Sequence, residues 1–356
     1  MKRVFVTCDI GSEALDKLRR RGCHVETHQG QGPPSQEELR RAMDSGAEVL
    51  ISTVIDPVTA SVLEAGRGTL KAVTQYGVGY DNIDVEAASR LGIAVTNTPD
   101  VLTDATAEFA FFMLGDLARK LYNSERLVRE NRWTRWHSTQ PFLGVEVTGK
   151  TVGIIGLGRI GKAFACKWLG WGVDILAHTR TPDEDFARSF NKCLEITAHQ
   201  ELCPRQAHFR FASQEEVLSQ SDFLSLHVPL TDETRGLIDA PVLKAMKSSA
   251  LLVNTTRGPV VDEEAIVEAL KNHVIAGAAL DVYHQEPLPA DSPLRDPALE
   301  DRLRLYHHFG SGTRETRLSA ERDVGMAGRA VYCALRILEG DPPTSIPYLV
   351  NPSAFE

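Results

Sequence analysis

The feature that most constrains this chain is the run Thr151-Val-Gly-Ile-Ile-Gly-Leu-Gly-Arg-Ile-Gly-Lys162, in which an apolar segment leads into closely spaced glycines. The apolar residues predict a buried strand, and the residues after Gly161 predict a helix. In the turn between them, Gly156 permits the backbone reversal, Gly158 lets a pyrophosphate approach the main chain, and Gly161 lets the helix pack against the strand. The helix dipole favours an anion there. The run therefore predicts a dinucleotide site, and its alternative is a glycine-rich turn that binds nothing.

Length and composition are those of an ordinary globular protein with room for two domains. The chain has 356 residues, of which 42% are hydrophobic and 24% are charged. A formal net charge of −9 and a pI near 5.7 argue against a nucleic-acid partner. The sequence begins without a signal-peptide pattern and contains no apolar run of about 18 residues. We therefore expect a cytoplasmic protein with no membrane partner.

The cysteines are scattered and include no CxxC pair, which argues against a disulfide framework or a zinc ribbon. Two cysteines and two histidines do fall close together, namely Cys193, His199, Cys203 and His208. Their spacing fits no common zinc pattern, so we expect no metal site.

Apolar segments alternate with helical patterns in a way that predicts two α/β units. In the first unit, strands are predicted over 4–7, 47–52, 70–74 and 93–96. A capping box at Ser35-Gln-Glu-Glu38 opens one of the helices between these strands. A long helix begins at Thr103, after a hinge near residue 100.

In the second unit, strands are predicted over 173–177, 223–227, 250–254 and 277–282, and a helix over 262–271. The tail from 316 to 338 reads as one helix that ends at Gly340 and returns to the first unit. The predicted fold is α/β, with two Rossmann-like, doubly wound parallel-sheet domains and a cleft between them. Residues 1–102 with 309–356 form a discontinuous substrate domain, and residues 103–308 form the dinucleotide-binding domain.

The choice of dinucleotide depends on the end of the second strand of this unit, where an acidic residue would select NAD. The chain has Thr179-Arg180-Thr181 there, and Asp174 lies at the start of the strand, too early to reach a ribose. A guanidinium can bind a 2′-phosphate through two hydrogen bonds, whereas a carboxylate would repel it. The sequence therefore favours NADP(H), with NAD(H) possible.

Several further motifs follow one another along nearly the whole chain. They are Gly77-Val-Gly-Tyr-Asp-Asn-Ile-Asp84, Thr98-Pro-Asp-Val-Leu-Thr-Asp-Ala-Thr-Ala-Glu108, His227-Val-Pro-Leu230, Asn254-Thr-Thr-Arg-Gly258, Asp281-Val and Glu286-Pro-Leu-Pro289. With the glycine turn, they resemble the D-isomer-specific 2-hydroxyacid dehydrogenase family, and most of all its glyoxylate/hydroxypyruvate reductases. The resemblance implies that a hydride passes between a nicotinamide and the α-carbon of a small 2-oxo acid, giving the D-hydroxy acid.

This chemistry needs a cation for the carboxylate and carbonyl, a proton donor, and a partner that keeps the donor charged. The resemblance assigns these roles to Arg257, His308 and Glu286. The family pattern Pro-His-x-x-Ser is altered here to His307-His308-Phe309-Gly310-Ser311. Counting back from Gly310-Ser311 selects His308. A shift of one residue would select His307, because adjacent strand side chains point to opposite faces.

Other site residues are implied by the resemblance. The backbone amides of Val78 and Gly79 would bind the substrate carboxylate, with an ordinary turn as the alternative, and Val54 would help to wall the pocket. Besides Thr179, Arg180 and Thr181, the cofactor would contact Thr103, Gly156, Leu157, Gly158, Arg159, Ile160, Gly161, Val228, Pro229, Thr256, Asp281 and Gly310.

Two stretches have more than one interpretation. Trp133, Trp136 and Phe142 form an aromatic cluster that is either core or, as the resemblance implies, part of a homodimer interface. Residues 183–210 are longer than the family pattern and read as an insertion, either a surface loop or an interface or lid element.

Two other functions stay open at this point. One is an NAD-dependent enzyme similar to phosphoglycerate dehydrogenase. The other is a nicotinamide-sensing binding protein, similar to the corepressors that keep this fold.

Overall fold

The computed structural model describes residues 2–139, 142–199 and 205–355. The chain divides into two compact units. The first unit runs to residue 103 and resumes at residue 311, and the second spans residues 104–310.

The strands of the described chain are numbered here in sequence order: β1 Lys2–Val6, β2 Cys23–Thr27, β3 Val49–Thr53, β4 Ala72–Tyr76, β5 Ala94–Thr96, β6 Thr151–Ile155, β7 Asp174–His178, β8 Phe209–Phe211, β9 Phe223–Leu226, β10 Leu251–Asn254, β11 Gly277–Leu280 and β12 Leu303–Leu305.

The α-helices are numbered in the same way: α1 Ser12–Arg20, α2 Gln36–Asp44, α3 Ala60–Ala65, α4 Val85–Arg90, α5 Thr103–Arg119, α6 Leu121–Arg129, α7 Arg159–Lys167, α8 Glu184–His199, α9 Gln214–Gln220, α10 Ala240–Ala245, α11 Glu263–Lys271, α12 Arg314–Leu318 and α13 Met326–Glu339.

The first unit is built on a five-stranded sheet of order β2-β1-β3-β4-β5, in which all neighbouring strands pair in parallel. Its central strands are buried along nearly their whole length, as expected for a sheet covered on both faces. The chain leaves β1 toward one edge of the sheet and returns on its other side at β3. Such a reversal of strand order opens a crevice at the carboxyl ends of the strands.

The second unit is built on a seven-stranded parallel sheet of order β12-β11-β10-β9-β6-β7-β8. Helix α7 packs Phe164 and Ala165 into the core on one face, together with Trp168 just beyond its last residue. The other face is covered by a second apolar cluster that includes residues of α11. The predicted class, an α/β chain with two doubly wound parallel sheets, is confirmed.

Local signals at helix ends act as the sequence predicts. Ser35 Oγ accepts a hydrogen bond from the Glu38 amide, and the Glu38 carboxylate accepts one from the Ser35 amide at 2.8 Å, which completes the capping box of α2. Helix α13 ends at Gly340, whose φ of 96° lies in the left-handed region that favours glycine. Helix α13 packs against β3, β4 and α1 of the first unit.

The tail is not one helix, so that prediction is wrong. Helix α12 ends at Leu318, and α13 begins only at Met326. The chain between them folds back, and the Gly328 amide donates to the Ser319 carbonyl at 2.9 Å. A Cβ at Gly325 would lie 2.1 Å from that same carbonyl oxygen, so this contact requires glycine.

The surface-loop interpretation of residues 183–210 is also wrong for most of its length. Residues 184–199 form helix α8, which buries Ala187, Phe190 and Leu194 in the core of the second unit. The stretch returns to the sheet as edge strand β8, while residues 200–204, with Cys203, lie outside the described chain. Strands β2, β8 and β12 were not predicted, because each lies at an edge of its sheet and polar residues interrupt its apolar run.

No helix in the described ranges is long and apolar enough to span a bilayer.

Candidate active site

The glycine turn joins β6 to α7, and each of its three glycines meets a different constraint. Gly156 has a φ of +95°, and a Cβ there would lie 2.5 Å from the carbonyl oxygen of His227. At Gly161 a Cβ would lie 2.2 Å from the carbonyl oxygen of Gly156, so glycine alone lets the helix pack this close to the strand. A Cβ at Gly158 would meet nothing within 4 Å. The protein fold therefore requires Gly156 and Gly161 but leaves the space at Gly158 open.

That open space lies at the N-terminus of α7, where Gly158 is the cap residue and no side chain caps the helix. Unsatisfied amides and the positive end of the helix dipole favour an anion at such a position. The open space at Gly158 is where a pyrophosphate would fit. Of the other predicted turn residues, Leu157 is buried in the core, so only its backbone can face a ligand, whereas the side chain of Arg159 is exposed.

The end of β7 has no acidic residue. The strand ends at His178, and the exposed Arg180 follows. Asp174 is engaged elsewhere, since its carboxylate accepts hydrogen bonds from the Arg205 guanidinium at 2.6 Å and from the His208 amide at 2.9 Å. A hydrogen bond from Thr231, its own backbone and the nearby Arg180 hold the pKa of Glu233 below its usual value, which places one acid close to Arg180.

A histidine and a carboxylate meet in the second unit, after β11 and β12. His308 Nδ1 lies 2.7 Å from Glu286 Oε2, and because a carboxylate can only accept, Nδ1 is the donor. The other carboxylate oxygen of Glu286 accepts from the Tyr283 amide at 3.0 Å. His307 instead packs its ring against Phe309, with the ring centroids 4.9 Å apart. The structure thus pairs Glu286 with His308 rather than with His307.

Asp281 holds the backbone around His308, which has a φ of 54° in the left-handed region. The Asp281 carboxylate accepts from the amides of Phe309 at 2.6 Å and Gly310 at 2.8 Å. Its carbonyl accepts from the His308 amide at 2.8 Å. Burial raises the pKa of Asp281, although the two amide donors favour its charged form. One residue at the end of β11 therefore fixes three successive amides.

The loop after β10 carries Arg257. The side chain of Asn254 holds this loop, donating to the Arg257 carbonyl at 3.0 Å and accepting from the Thr256 hydroxyl at 2.6 Å. A Cβ at Gly258 would lie 1.9 Å from the carbonyl carbon of Tyr283, which shows how tightly the two loops pack. The loop of Arg257 thus lies beside the loop that leads to Glu286.

Five further predicted positions come shortly after the carboxyl end of a strand, namely Val54, Val78, Gly79, Val228 and Pro229. Val228 and Pro229 follow β9, and a Cβ at Gly156 would lie 2.9 Å from Val228 Cγ1. In the first unit, a Cβ at Gly77 would lie 2.4 Å from Val54 Cγ1, so the predicted wall residue packs against the predicted turn. Thr103 is the first residue of α5.

Sequence reasoning assigned no role to His227. Burial lowers the pKa of this histidine to about 3, so its ring is neutral at physiological pH. The ring lies 3.0 Å from the Ser225 hydroxyl and packs on Phe164 of α7. Asn254 was likewise missed, although an asparagine at the end of a buried strand is a recognisable signal for a loop held by a side chain.

In the described ranges, no group of three or more His, Cys, Asp or Glu side chains could hold a metal ion. The described cysteines Cys8, Cys23, Cys166, Cys193 and Cys333 form no disulfide.

A glycine turn at a helix N-terminus and a histidine–carboxylate pair, both at the carboxyl edge of one parallel sheet, are typical of a dinucleotide-dependent oxidoreductase. Residues 111–309 match the family described as "D-isomer specific 2-hydroxyacid dehydrogenase, NAD binding domain". The chain belongs to the D-isomer-specific 2-hydroxyacid dehydrogenase family.

Its relatives are similar over nearly their full length. The glyoxylate reductase of Korarchaeum cryptofilum is 43% identical over 317 residues, covering 88% of each chain. That of Aeropyrum pernix is 40% identical over 354 residues, covering 98% of this chain and 96% of the relative.

Solved structures are similar to this chain over nearly its whole length. A protein from Thermus thermophilus superposes with a TM-score of 0.82 at 40% identity, covering 98% of this chain and 99% of that one. An NADPH-dependent glyoxylate/hydroxypyruvate reductase from Sinorhizobium meliloti, crystallised with NADP and malonate, has a TM-score of 0.77 at 29% identity, covering 100% and 98%.

Because Gly158 and Gly161 meet different constraints, replacing the first should impair dinucleotide binding and replacing the second should impair stability. Gly158→Ala should leave the thermal midpoint unchanged but weaken dinucleotide binding about tenfold or more, because the new methyl group occupies the space of the pyrophosphate. Gly161→Ala should destabilise the protein by about 1–3 kcal/mol through overpacking. Thermal melts and calorimetric titration with NADPH measure both effects. A Gly158→Ala variant that binds NADPH like the wild type would contradict the assignment.

Proposed function

We propose that this protein reduces a small 2-oxo acid, such as glyoxylate or hydroxypyruvate, to the D-2-hydroxy acid with NADPH as reductant. The observation that carries the proposal is the 2.7 Å hydrogen bond between His308 and Glu286, in the unit that also holds the glycine turn. The names of the relatives support the substrate class.

The proposed proton transfer uses the ring nitrogen that Glu286 does not engage. Nδ1 of His308 bonds to Glu286, and Nε2, on the other side of the ring, would protonate the substrate oxygen. The Tyr283 amide holds Glu286 in place, so the carboxylate orients the His308 ring. When bound, the nicotinamide supplies the hydride.

The proposed substrate contacts are ionic and backbone donors. Arg257 would bind the carbonyl and carboxylate oxygens through its planar guanidinium. The amides of Val78 and Gly79 would donate to the carboxylate, with Val54 packed against the turn that carries them.

Removing the proposed acid tests the mechanism. His308→Gln should lower kcat for glyoxylate by about 10²–10⁴-fold while NADPH binding is kept, because only proton transfer is lost. Glu286→Gln should lower kcat in the same direction, since the ring loses its anionic partner. NADPH consumption at 340 nm measures both. The matched comparison is His307→Gln, and a larger loss from this variant than from His308→Gln would refute the assignment of the acid.

We further propose that NADP(H) is the preferred dinucleotide. Support comes from the exposed Arg180 beyond β7, from the engagement of Asp174 by Arg205, and from the NADP-bound relative. Thr179 and Thr181 flank the arginine and add hydroxyl donors for a phosphate.

Reversing the charge of Arg180 should reverse the preference for NADPH over NADH. Arg180→Asp should raise the KM for NADPH about 10–150-fold, the value of a lost hydrogen bond to a charged group, and should leave the KM for NADH unchanged or lower. Arg188→Asp makes the same charge change at an exposed position of α8 and serves as the control. Equal preference before and after Arg180→Asp would contradict the proposal.

A homodimer is the third part of the proposal. The stretch from α6 to β6 exposes large apolar side chains, with Trp136 76% and Trp133 56% exposed. The interpretation of these two tryptophans as core is therefore wrong, while Phe142 is half-buried. A cluster of exposed aromatic and aliphatic groups is typical of a protein interface.

Light scattering should give twice the chain mass of 39.2 kDa. Trp136→Asp should shift the equilibrium toward the monomer, because it buries a charge in the proposed interface. Ile196→Asp, at another exposed apolar position, should not shift it. A wild-type monomer at micromolar concentration would refute the proposal.

A further inference from the structure

The turn Gly77-Val78-Gly79 has every carbonyl held by the protein. The Gly77 carbonyl accepts from the Thr98 amide at 2.9 Å. The Val78 carbonyl accepts from the side-chain amide of Asn97 at 2.8 Å, and the Gly79 carbonyl accepts from Gln75 Nε2 at 3.0 Å. The first two donors belong to one neighbouring segment, the residues that follow β5, so both of these carbonyls face that segment.

The direction of the carbonyls fixes the direction of the amides. In a trans peptide, the C=O of one residue and the N–H of the next point in opposite directions. The Val78 and Gly79 amides therefore point away from the segment that holds the carbonyls. Both residues are half-buried, so their amides lie near the surface of the first unit. Two successive donors pointing the same way form the kind of backbone concavity that binds an anion.

The two carbonyl anchors differ in how they are themselves held. Gln75 is fully buried, accepts from the Ser52 hydroxyl at 2.8 Å, and donates to Asn82 Oδ1 at 2.7 Å. Asn82 in turn donates to the carbonyls of Thr53 and Asp56, both at 2.9 Å. Gln75 is thus part of a network that joins the ends of β3 and β4. Asn97 instead bonds directly to the Val78 carbonyl, which belongs to the Val78–Gly79 peptide.

We propose that Asn97 is a positioning residue, whose side-chain amide holds the Val78–Gly79 peptide so that the Gly79 amide donates to the carboxylate of the substrate. The inference rests on the proposed function, since it deepens the role proposed for that turn. Asn97 itself does not touch the substrate. Without its donor, the Val78 carbonyl loses its partner, and the peptide is free to rotate and present a carbonyl oxygen to an anion.

Two variants of similar size separate this role from simple packing. Asn97→Leu removes the donor without adding charge, and Asn97→Asp places a carboxylate against the Val78 carbonyl. Both should raise the KM for glyoxylate about tenfold or more, with Asp at least as damaging as Leu, while NADPH affinity and the thermal midpoint stay near wild type. Binding of oxamate, a non-reacting 2-oxo-acid analogue, should weaken by the same factor. Asn272→Asp, at an exposed helix end, controls for the change of chemistry.

A larger rise in KM for Asn97→Leu than for Asn97→Asp would overturn the inference. If Asn97 only fills space, Asn97→Asp should behave like the wild type and Asn97→Leu should not. An unchanged KM in Asn97→Leu, or a loss of NADPH affinity and thermal stability in parallel with KM, would also overturn it. If both variants fail to fold, Asn97→Ser, which leaves room for a water molecule, takes their place in the oxamate titration. A wild-type protein without turnover would refute the proposed function, whereas normal wild-type turnover with unchanged variants would refute this inference alone.

Discussion

The parallel pairing of the strands is the constraint on which the rest of this structure depends. Parallel strands bring all their carboxyl ends to one edge of a sheet, so residues far apart in sequence meet there. In the second unit the glycine turn follows β6, the threonines and Arg180 follow β7, the loop of Arg257 follows β10, and the Glu286 loop follows β11. The topology of the sheet therefore places the loops of the candidate site together, whatever side chains these loops carry.

Loops at such an edge have backbone groups that the sheet does not satisfy, and this protein satisfies them with a few side chains. Asn254 holds the loop of Arg257, and Asp281 accepts three successive amides around His308 through its carboxylate and its carbonyl. In the first unit, Gln75 and Asn97 do the same for the turn at Gly77. Loops fixed in this way need little reorganisation when a ligand binds, which is what a preorganised site requires.

Some features could be read from the sequence because they are local. The capping box at Ser35 and the left-handed glycine at Gly340 depend only on neighbouring residues. The buried strands of both sheets can be recognised as apolar runs. The glycine spacing of residues 156–161 predicts a strand, a turn and a helix in succession. Strands β2, β8 and β12 and the break between α12 and α13 were not predicted, since they depend on contacts with distant segments.

The sequence by itself determined the fold class and the dinucleotide motif, because each is encoded by periodicity or by fixed short spacing. The residues expected to transfer a proton came from the resemblance to a family. The tertiary structure decided which of two adjacent histidines meets Glu286, that Asp174 is engaged by Arg205, and that Trp133 and Trp136 are exposed. It also decided which side chains hold the carbonyls of the first turn. These outcomes depend on distances between residues far apart along the chain, and such distances exist only once the strands have paired.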